Sequence, residues 1–529
     1  MTTIGENKLT IEDIYNVVFR GKPVTISDTA MSAMYGSYEF LKEFSRSGLI
    51  YGINTGFGPM AQYRIDAEDQ INLQYNLIRS HSAGSGKPLD STFVRSLMLA
   101  RLSNLSRGYS GVHPDAANIL SSMINKNITP LVLEHGGVGA SGDLVQLAHL
   151  ALCLIGEGES FVDGKKVPTK EVFRDNDITP LKIHLREGLG LINGTSAMTG
   201  IGLVNVLKAR NLLCWAIFTS CIIAELIEAY TDHYSKELNS VKWHDGQQRI
   251  AAIMQQLLSD SASVKKRADH LYEKEIVEKV LQEKVQEYYS VRCVPQILGP
   301  ILDTILNAEK VTINELNSVN DNPVIDVASH SVYHGGNFHG DYVALEMDKL
   351  KLAVTKLSML CERQLNFLMN NKLNGRLTPF VNLGVLGLNL GMQGTQFTAT
   401  STVAENQSLS SSVYIHSISC NNDNQDIVSM GTNAALLCNK VIENTYEVIA
   451  IHLITILQAV DYLEAQDRLS GITGKIYRKL RQIVPVFEKD DIMYTRINEV
   501  KSFIQQLRLD DLWLTQEEHA EAAGATATL

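Results

Sequence analysis

The sequence predicts a mainly α-helical protein in which a long central helical bundle adjoins a smaller N-terminal region. Two stretches of about thirty residues, 341–370 and 432–465, contain neither glycine nor proline. Apolar positions in the first stretch cover more than one face of a helix, so it should be wrapped by neighbouring helices. Strand signals are few and short, and the clearest is SFVDGKKV at 160–167, which predicts a hairpin around Asp163-Gly164. A large bundle is therefore the expected architecture.

The pattern divides the chain into three parts. Residues 1–195 alternate short helical patterns with Gly-rich loops such as YGINTGFGPMAQ at 51–62, and loops of this kind often carry function. Residues 196–470 hold the long helical stretches and are predicted to form the bundle. Residues 471–529 are predicted to be C-terminal helices followed by a frayed tail, HAEAAGATATL.

The composition is that of an ordinary globular protein. The 529 residues are 45% hydrophobic and 20% charged, which argues against extended disorder. The formal net charge of -11 is distributed along the chain, and the most basic stretch, 263–279, is interspersed with acidic residues. That alternation is typical of a solvated helix face, so nucleic-acid binding is not expected.

Cysteines and apolar runs bear on location. The seven cysteines are an odd number, lie far apart and include no C-x-x-C pair, which favours a reduced, cytoplasmic protein. The N-terminus lacks the basic start and apolar run of a signal peptide. The longest apolar stretch, 212–224, is too short to span a bilayer and leads directly into Glu225. It is predicted to belong to a buried core helix, with no membrane partner.

The stretch HGGVGASGDLVQL at 135–147 contains two motifs that its surroundings do not support. Gly137, Gly139 and Gly142 spell G-x-G-x-x-G, but a dinucleotide-binding turn requires a following helix and then a parallel strand. A helix is predicted to begin near Asp143, yet the hairpin at 160–167 follows it in place of the strand. A serine-hydrolase elbow, G-x-S-x-G, would need glycine at the position of Asp143.

Ala140-Ser141-Gly142 suits a third chemistry, in which the backbone itself cyclises. Attack of the Gly142 nitrogen on the Ala140 carbonyl closes a five-membered ring. Loss of two waters, one of them carrying the Ser141 hydroxyl, leaves an imidazolone with an exocyclic methylene. Glycine offers an unhindered nitrogen, serine the leaving hydroxyl, and alanine a side chain small enough for the bend. The product is an electrophile at a helix start, where the macrodipole favours negative charge on the ring.

Seven blocks of the sequence, in order, resemble the aromatic amino-acid ammonia-lyase and aminomutase family, whose self-made cofactor is 4-methylideneimidazole-5-one. The blocks are YGINTGFGPM, GGVGASGDL, LINGTSAMTG, EYYSVRCVPQILGP, NDNPVID, GGNFHGDY and NNDNQDIVSMGT, over roughly residues 45–435. The resemblance implies the histidine/phenylalanine ammonia-lyase fold and a cofactor formed from Ala140-Ser141-Gly142, with no external cofactor. It also implies a homotetramer whose sites are shared between subunits. The sequence predicts no metal site, since it has no H-E-x-x-H motif and no His/Cys cluster at ligand spacing.

The resemblance implies roles for individual residues. Tyr51 corresponds to the base that removes the β-proton of the substrate, and Asn193 to a residue that hydrogen-bonds the substrate or the cofactor carbonyl. Tyr289 assists at the cofactor, and Arg292 holds the substrate carboxylate with its two-pronged donor geometry. Phe338 packs beside the ring. The other substrate-binding positions are Gly58, Leu144 and Asn421, together with three residues that select the ring and are described next.

Two sites along the chain bear on substrate choice and point in different directions. The family reads the ring end of the substrate with a residue pair that here is Ser80-His81, and this pair resembles histidine ammonia-lyases. The second specificity-determining residue is Gln425, at a position where histidine ammonia-lyases carry glutamate. A neutral amide suits an uncharged ring. Because His81 can donate to or accept from a phenolic hydroxyl, the combination is expected to select L-tyrosine and to yield trans-4-coumarate and ammonia.

Two other reactions and one non-catalytic role are alternatives to this function. Histidine ammonia-lyase, giving urocanate, and tyrosine 2,3-aminomutase use the same residues, and the sequence does not say how long the product is retained. A helical scaffold without catalysis belongs to a different class. The intact Ala140-Ser141-Gly142, Tyr51 and Arg292 argue against such a scaffold.

Overall fold

The computed structural model describes residues 1–46, 48–272, 279–281 and 284–509. The described chain is mainly helical, as the sequence predicts, and its strands are short. The helices are α1 (Ile11–Val18), α2 (Asp28–Phe44), α3 (Gln70–His81), α4 (Ser91–Ser106), α5 (Asp115–Asn125), α6 (Leu144–Leu154), α7 (Thr169–Asp175), α8 (Glu187–Ile192), α9 (Ser196–Leu226), α10 (Lys236–Ser240), α11 (Asp245–Leu257), α12 (Tyr289–Arg292), α13 (Val294–Leu316), α14 (Asp341–Met369), α15 (Asn371–Asn374), α16 (Gln393–Leu409), α17 (Gly431–Tyr462), α18 (Gly471–Ile483) and α19 (Met493–Gln506). The strands are β1 (Thr2–Ile4), β2 (Val24–Ile26), β3 (Ser85–Pro88), β4 (Thr129–Pro130), β5 (Leu133–His135), β6 (Glu159–Val162), β7 (Lys165–Pro168), β8 (Val324–Asp326) and β9 (Ser331–Tyr333).

The chain forms two structural units. The first comprises Met1–Leu207, Asn307–Lys349 and Ser412–Cys438, and the second comprises the described parts of Lys208–Leu306, Leu350–Ser411 and Asn439–Leu529. Each unit is assembled from segments that are far apart in the sequence. The division at residues 195 and 470 that the sequence pattern suggests stays a prediction.

The small sheets all belong to the first unit. Strands β1 and β2 pair in parallel, β3 pairs with β5, β8 pairs with β9, and β4, β6 and β7 form a three-stranded antiparallel sheet. In the last of these, Val162 faces Lys165 across the turn at Asp163-Gly164, so the predicted hairpin is confirmed. Because this antiparallel hairpin follows α6, the G-x-G-x-x-G stretch does not open a dinucleotide-binding sheet.

The two longest predicted helices are confirmed as α14, of 29 residues, and α17, of 32 residues. The apolar run at 212–224 lies inside α9, which is 31 residues long and therefore extends well beyond the run that the sequence marks. By length and composition α9 could cross a membrane, since its most apolar window has a mean hydropathy of 1.5. However, 83% of that window is buried within the described protein, and the Trp215 and Phe218 side chains are completely covered. The prediction of a buried core helix is confirmed.

One buried group on α17 makes stability depend on pH. His452 is 0% exposed, and neither of its ring nitrogens has a hydrogen-bond partner among the described residues. Burial lowers the pKa of His452 to about 3. An unfolded histidine has a pKa of about 6.5, so the unfolded chain takes up this proton first as pH falls. The stability that depends on neutral His452 is present above pH 6.5 and is lost as pH falls towards 3.

We predict that His452→Leu removes this acid sensitivity. Between pH 7.5 and pH 5 the wild type should lose about 2 kcal/mol of stability through His452, and the variant should not. Glu225 titrates in the opposite sense, because burial raises its pKa to about 7, so the informative quantity is the difference between variant and wild type. Melting temperatures at pH 7.5 and pH 5 measure that difference.

The matched control is His244→Leu, at an exposed position before α11. Its melting temperature should follow that of the wild type at both pH values. An unchanged gap between His452→Leu and wild type across this range would show that His452 does not carry the effect.

Candidate active site

A cavity of about 670 Å³ in the first unit collects most of the residues that the sequence singles out. Its volume is in the range of small-molecule sites. The predicted residues that line it are Tyr51, Gly58, Ser80, His81, Ser141, Leu144, Asn193, Phe338, Asn421 and Gln425. Ala140 and Gly142 are buried on either side of Ser141 in the chain. The loop blocks, separated by hundreds of residues, therefore meet at one place.

Ser141 accepts hydrogen bonds at its carbonyl oxygen and at its hydroxyl oxygen. Its carbonyl oxygen accepts from Asn193 Nδ2 at 3.1 Å and from the Gly194 backbone nitrogen at 3.4 Å. Its hydroxyl oxygen accepts from Gln425 Nε2 at 3.0 Å. The sequence assigns Gln425 to the ring of the substrate, whereas here its amide lies at the hydroxyl that must leave if the segment cyclises.

Gly142 can only be glycine. Its φ is +71°, and a Cβ at this position would lie 1.9 Å from the Gly194 carbonyl oxygen. The two glycines form an isolated parallel bridge, in which the Asp143 nitrogen donates to the Gly194 oxygen at 2.7 Å. The unhindered nitrogen that cyclisation requires thus stands where packing also excludes any side chain. This arrangement fits the formation of the imidazolone.

Asp143 anchors the segment from behind. It occupies the N-cap position of α6, but its side chain does not cap that helix. Instead the carboxylate accepts from the Met198 nitrogen at 2.8 Å and from Thr432 Oγ1 at 2.5 Å, in the first turns of α9 and α17. Burial raises the pKa of Asp143 to about 6, while these hydrogen bonds counteract the rise. Sequence reasoning missed this role because an aspartate before a helix resembles an ordinary cap.

The Tyr51 loop folds back on its own tyrosine. The Gly58 backbone nitrogen donates to the Tyr51 hydroxyl oxygen at 2.9 Å, which leaves the phenolic proton free for another acceptor. Gly58 has a φ of +53°, and a Cβ there would lie 2.8 Å from Asn421 Nδ2. The Tyr51 ring meets that of Phe57 edge to face at 6.1 Å. These contacts fix the hydroxyl at the cavity wall.

His81 ends α3 and is neutral in the folded protein at neutral pH, because burial lowers its pKa. Its Nδ1 lies 3.1 Å from the Leu77 carbonyl oxygen, which can only accept, so Nδ1 carries the proton. Nε2 is then the acceptor atom of the ring. Ser80 Oγ lies 3.1 Å from the same Nδ1 and also donates to the Leu77 carbonyl.

His334 is a wall residue that sequence reasoning missed. Its Nε2 accepts from the Tyr51 backbone nitrogen at 3.4 Å, and burial lowers its pKa, with a further contribution from the charge of Arg186. Asn322 is a second such residue. The only sequence signal was position, since His334 directly precedes the GGNFHGDY block and Asn322 lies within NDNPVID.

The cavity wall carries no full charge at neutral pH. Among the described residues that line it there is no Asp, Glu, Lys or Arg, and both histidines have lowered pKa values. A zwitterionic amino acid would find polar groups here but no partner of opposite charge for its carboxylate.

Tyr289 and Arg292 do not line this cavity. They belong to the second unit, at the two ends of the four-residue helix α12. The Tyr289 side chain is exposed, and the Arg292 guanidinium lies 4.7 Å from the centre of its ring while donating to Gln286 Oε1. Their predicted roles stay predictions.

One group of potential metal ligands lies elsewhere in the first unit. Among the described residues, His113, Asp115 and His184 have ligand atoms within 4.8 Å of one another. The two imidazole rings are stacked at 4.3 Å with an interplanar angle of 27°. Nitrogen lone pairs lie in the ring planes, so those of nearly parallel rings do not converge on one ion.

Known proteins resemble this chain over most of its length. The aromatic amino acid lyase family model matches residues 9–482. A tyrosine 2,3-aminomutase of Myxococcus sp. (strain Mx-B0) is 39% identical over 86% of this chain and 88% of its own. A histidine ammonia-lyase of Caldanaerobacter subterraneus is 37% identical over 96% of this chain and 97% of its own.

A solved structure agrees with these sequence relatives. The crystal structure of the tyrosine aminomutase from Streptomyces globisporus superposes with a TM-score of 0.92, at 33% identity, over 96% of this chain and 97% of the other. The described helices and small sheets are therefore those of a known enzyme architecture. The chain belongs to the aromatic amino acid lyase family, is an enzyme of its lyase and aminomutase group, and has the histidine/phenylalanine ammonia-lyase fold.

Proposed function

We propose that this protein is a tyrosine ammonia-lyase, which converts L-tyrosine to trans-4-coumarate and ammonia. The uncharged cavity wall around Ser141 carries the proposal, because neutral His81 and neutral Gln425 suit a phenol and offer no counter-charge to an imidazolium. His81 Nε2 can accept a hydrogen bond from the phenolic hydroxyl. A site built for that bond leaves a polar atom unpaired when phenylalanine binds, and so disfavours phenylalanine.

The cofactor proposed is 4-methylideneimidazole-5-one, formed from Ala140-Ser141-Gly142. When formed, it supplies an electrophile that activates the substrate amine for departure. The Ser141 carbonyl becomes the ring carbonyl, and the donors that face it, Asn193 Nδ2 and the Gly194 nitrogen, stabilise negative charge on that oxygen. Gln425 donates to the hydroxyl that leaves during ring formation.

Tyr51 is proposed to accept the β-proton of the substrate. Its hydroxyl oxygen already receives the Gly58 N–H, and that bond persists when the phenolic proton has left. The contact with Phe57 and the bond from the Tyr51 nitrogen to His334 hold the ring and backbone in place. Elimination needs such a placed base because the proton next to the amine-bearing carbon is only weakly acidic.

The substrate carboxylate still needs a cation that the cavity wall does not provide. We propose that Arg292 supplies it from another copy of the chain, with Tyr289 beside it, in a homotetramer whose sites are shared between subunits. The exposed Tyr289 and its stacked Arg292 suit a surface that meets another copy. A guanidinium binds a carboxylate through two parallel hydrogen bonds.

Two other activities have specific support. The Myxococcus relative is named a tyrosine 2,3-aminomutase, and the Caldanaerobacter relative a histidine ammonia-lyase. Incubation of the enzyme with tyrosine, phenylalanine and histidine at equal concentration, followed by chromatography of the products, separates the three. Coumarate and ammonia as the main products support the proposal, whereas β-tyrosine or urocanate as the main product would replace it with the corresponding alternative.

We predict that Ser141→Ala leaves a folded protein without the cofactor. No hydroxyl remains to leave as water, so intact mass spectrometry should show the full translated mass, and turnover should be lost. The matched control is Ser82→Ala, whose hydroxyl bonds the Ile78 carbonyl, and its mass should be two waters below translation. Near-normal turnover in Ser141→Ala would exclude the proposed cofactor.

We predict that Tyr51→Phe keeps the mass of the mature chain and binds substrate, but loses most of its kcat. Removal of the proton acceptor should raise the barrier by more than ~1.4 kcal/mol, which leaves less than about a tenth of the rate. The control Tyr63→Phe, at an exposed tyrosine, should be fully active. If steady-state kinetics show Tyr51→Phe above a tenth of the wild-type kcat, another group is the base.

We predict that His81→Phe shifts selectivity from tyrosine towards phenylalanine. The phenolic hydroxyl loses its partner, at a cost of roughly 1–3 kcal/mol, while the added apolar surface favours an unsubstituted ring. The ratio of kcat/KM for tyrosine over phenylalanine should fall by about tenfold or more. A ratio that does not change, measured by competition of the two substrates, would mean that His81 does not read the hydroxyl.

A further inference from the structure

The amide of Asn193 is oriented by a single backbone group. Its Oδ1 accepts from the Asn322 nitrogen at 2.8 Å, and its Nδ2 donates to the Ser141 carbonyl at 3.1 Å. A backbone N–H can only donate, so Oδ1 must face Asn322 and Nδ2 must face Ser141. The position of the Asn322 N–H therefore decides whether a donor faces the carbonyl of the proposed ring.

Arg186 holds the backbone of that same segment. Its Nη2 donates to the Asn322 carbonyl at 2.9 Å and its Nη1 to the Pro323 carbonyl at 3.2 Å, with a further bond from Nη1 to the Ser110 carbonyl. Two nitrogens of one rigid guanidinium thus donate hydrogen bonds to two successive carbonyls. A lysine ammonium has no such planar fork.

Helix α8 joins the two residues. Arg186 directly precedes the helix and Asn193 directly follows it, and both side chains reach the segment at 321–323. The residues that flank the six-residue helix therefore both hydrogen-bond to one short segment. A shift of that segment would move the Asn193 amide.

The location of this charge argues for a positional role. Arg186 and its ionic partner Asp321, 3.7 Å away, are both completely buried, and Arg101 is buried beside them. Burial lowers the pKa of Arg186 and of Arg101, the latter to about 10, and raises that of Asp321. A buried ion pair is seldom more stabilising than packed apolar side chains, so stability alone does not account for it.

We propose that Arg186 is a positioning residue for catalysis, which holds the Asn322-Pro323 backbone so that Asn193 presents its N–H to the Ser141 carbonyl. This rests on the proposed function in that the Ser141 carbonyl becomes the ring carbonyl of the cofactor. Arg186 does not line the cavity, so its proposed action on catalysis runs through Asn193. Its charge also helps to lower the pKa of the wall residue His334, and a lysine at position 186 keeps that charge.

The decisive variant is Arg186→Lys, which keeps the charge and removes the fork. Compared with wild type, kcat per mature chain should fall roughly tenfold or more while KM changes little, because the lost interaction faces Ser141 and not the substrate. Mature chains are counted by intact mass. The near-ultraviolet band of the ring should shift to shorter wavelength, as in Asn193→Ala, because a conjugated carbonyl absorbs at longer wavelength when it accepts a hydrogen bond.

The double variant separates positioning from general damage. If Arg186 acts through Asn193, adding Arg186→Lys to Asn193→Ala should produce no further band shift, whereas independent effects would add. If neither single variant forms the cofactor, both keep the full translated mass. That shared failure would also support an action of Arg186 through Asn193. Maturation of one of them without the other would overturn the proposal, and so would a full additive shift.

Arg95→Lys is the matched control. Arg95 is also a buried arginine of the first unit, with bonds from Nε to the Val17 carbonyl at 2.7 Å and from Nη1 to Asn127 Oδ1 at 3.1 Å. It should lower the melting temperature but leave kcat and the absorbance band unchanged. An equal loss of kcat in Arg95→Lys and Arg186→Lys would reduce the role of Arg186 to stability.

Should Arg186→Lys not fold, the paired variant Arg186→Met/Asp321→Asn removes both charges together and leaves no unpaired acid. It still lacks the carbonyl donors, so the same band shift and loss of kcat are expected, and wild-type values for both would overturn the proposal. All assays use whichever aromatic amino acid the wild type converts fastest. Preference for a substrate other than tyrosine would thus contradict the proposed function without affecting this test.

Discussion

The close approach of Gly142 to Gly194 is the constraint on which the rest of the site depends. The Asp143 nitrogen donates to the Gly194 oxygen at 2.7 Å, and the Gly194 nitrogen lies 3.4 Å from the Ser141 oxygen. Helix α6 begins just after this bridge, α8 ends just before it, and α9 begins just beyond it. Three helix ends are therefore fixed by one contact that tolerates no side chain at residue 142. Glycine at position 142 thus satisfies the packing of the helices and, on the proposed function, the chemistry of ring closure as well.

The charged residues near this contact are buried behind the cavity wall and do not line it. The cavity side is neutral, whereas Asp143, Arg186 and Asp321 are fully buried and do not line the wall. Buried ions are costly unless fixed groups satisfy them. Here Asp143 accepts from the Met198 nitrogen in the first turn of α9, Arg186 donates to loop carbonyls, and Asp321 lies 3.7 Å from the Arg186 guanidinium. The charge of Arg186 still acts on the wall, since it helps to lower the pKa of His334. On the proposed function, a wall without Asp, Glu, Lys or Arg among its described residues suits an uncharged ring.

Much of the fold could be predicted from the sequence because the signals were local. The uninterrupted helical pattern gave α14 and α17, and the Asp163-Gly164 turn gave the β6–β7 hairpin. The resemblance of the loop blocks predicted ten of the twenty-three described residues that line the cavity. The full extent of α9 beyond the apolar run at 212–224 has no comparable local signal. Polar residues such as Asn205 and Asn211 interrupt its apolar pattern but are buried and hydrogen-bonded.

The parts that could not be predicted depend on long-range contacts. Asp143 has the sequence context of a cap for α6, but its partners lie in α9 and α17, and no local pattern encodes that choice. Arg186 likewise has the appearance of a polar residue before a short helix, and only the folded chain shows that it grips Asn322 and Pro323.

On the proposed function, the neutral wall means that substrate binding depends on the association of several copies of the chain. An amino acid brings a carboxylate, and the described wall has no lysine or arginine to bind it. If Arg292 of another copy provides the cation, an isolated chain is an incomplete enzyme however well its cofactor forms. Ring formation needs only Ala140-Ser141-Gly142 and the groups that face it, all within the first unit. Cofactor maturation and substrate binding would then obey different requirements, the first set by the folding of one chain and the second by the association of several.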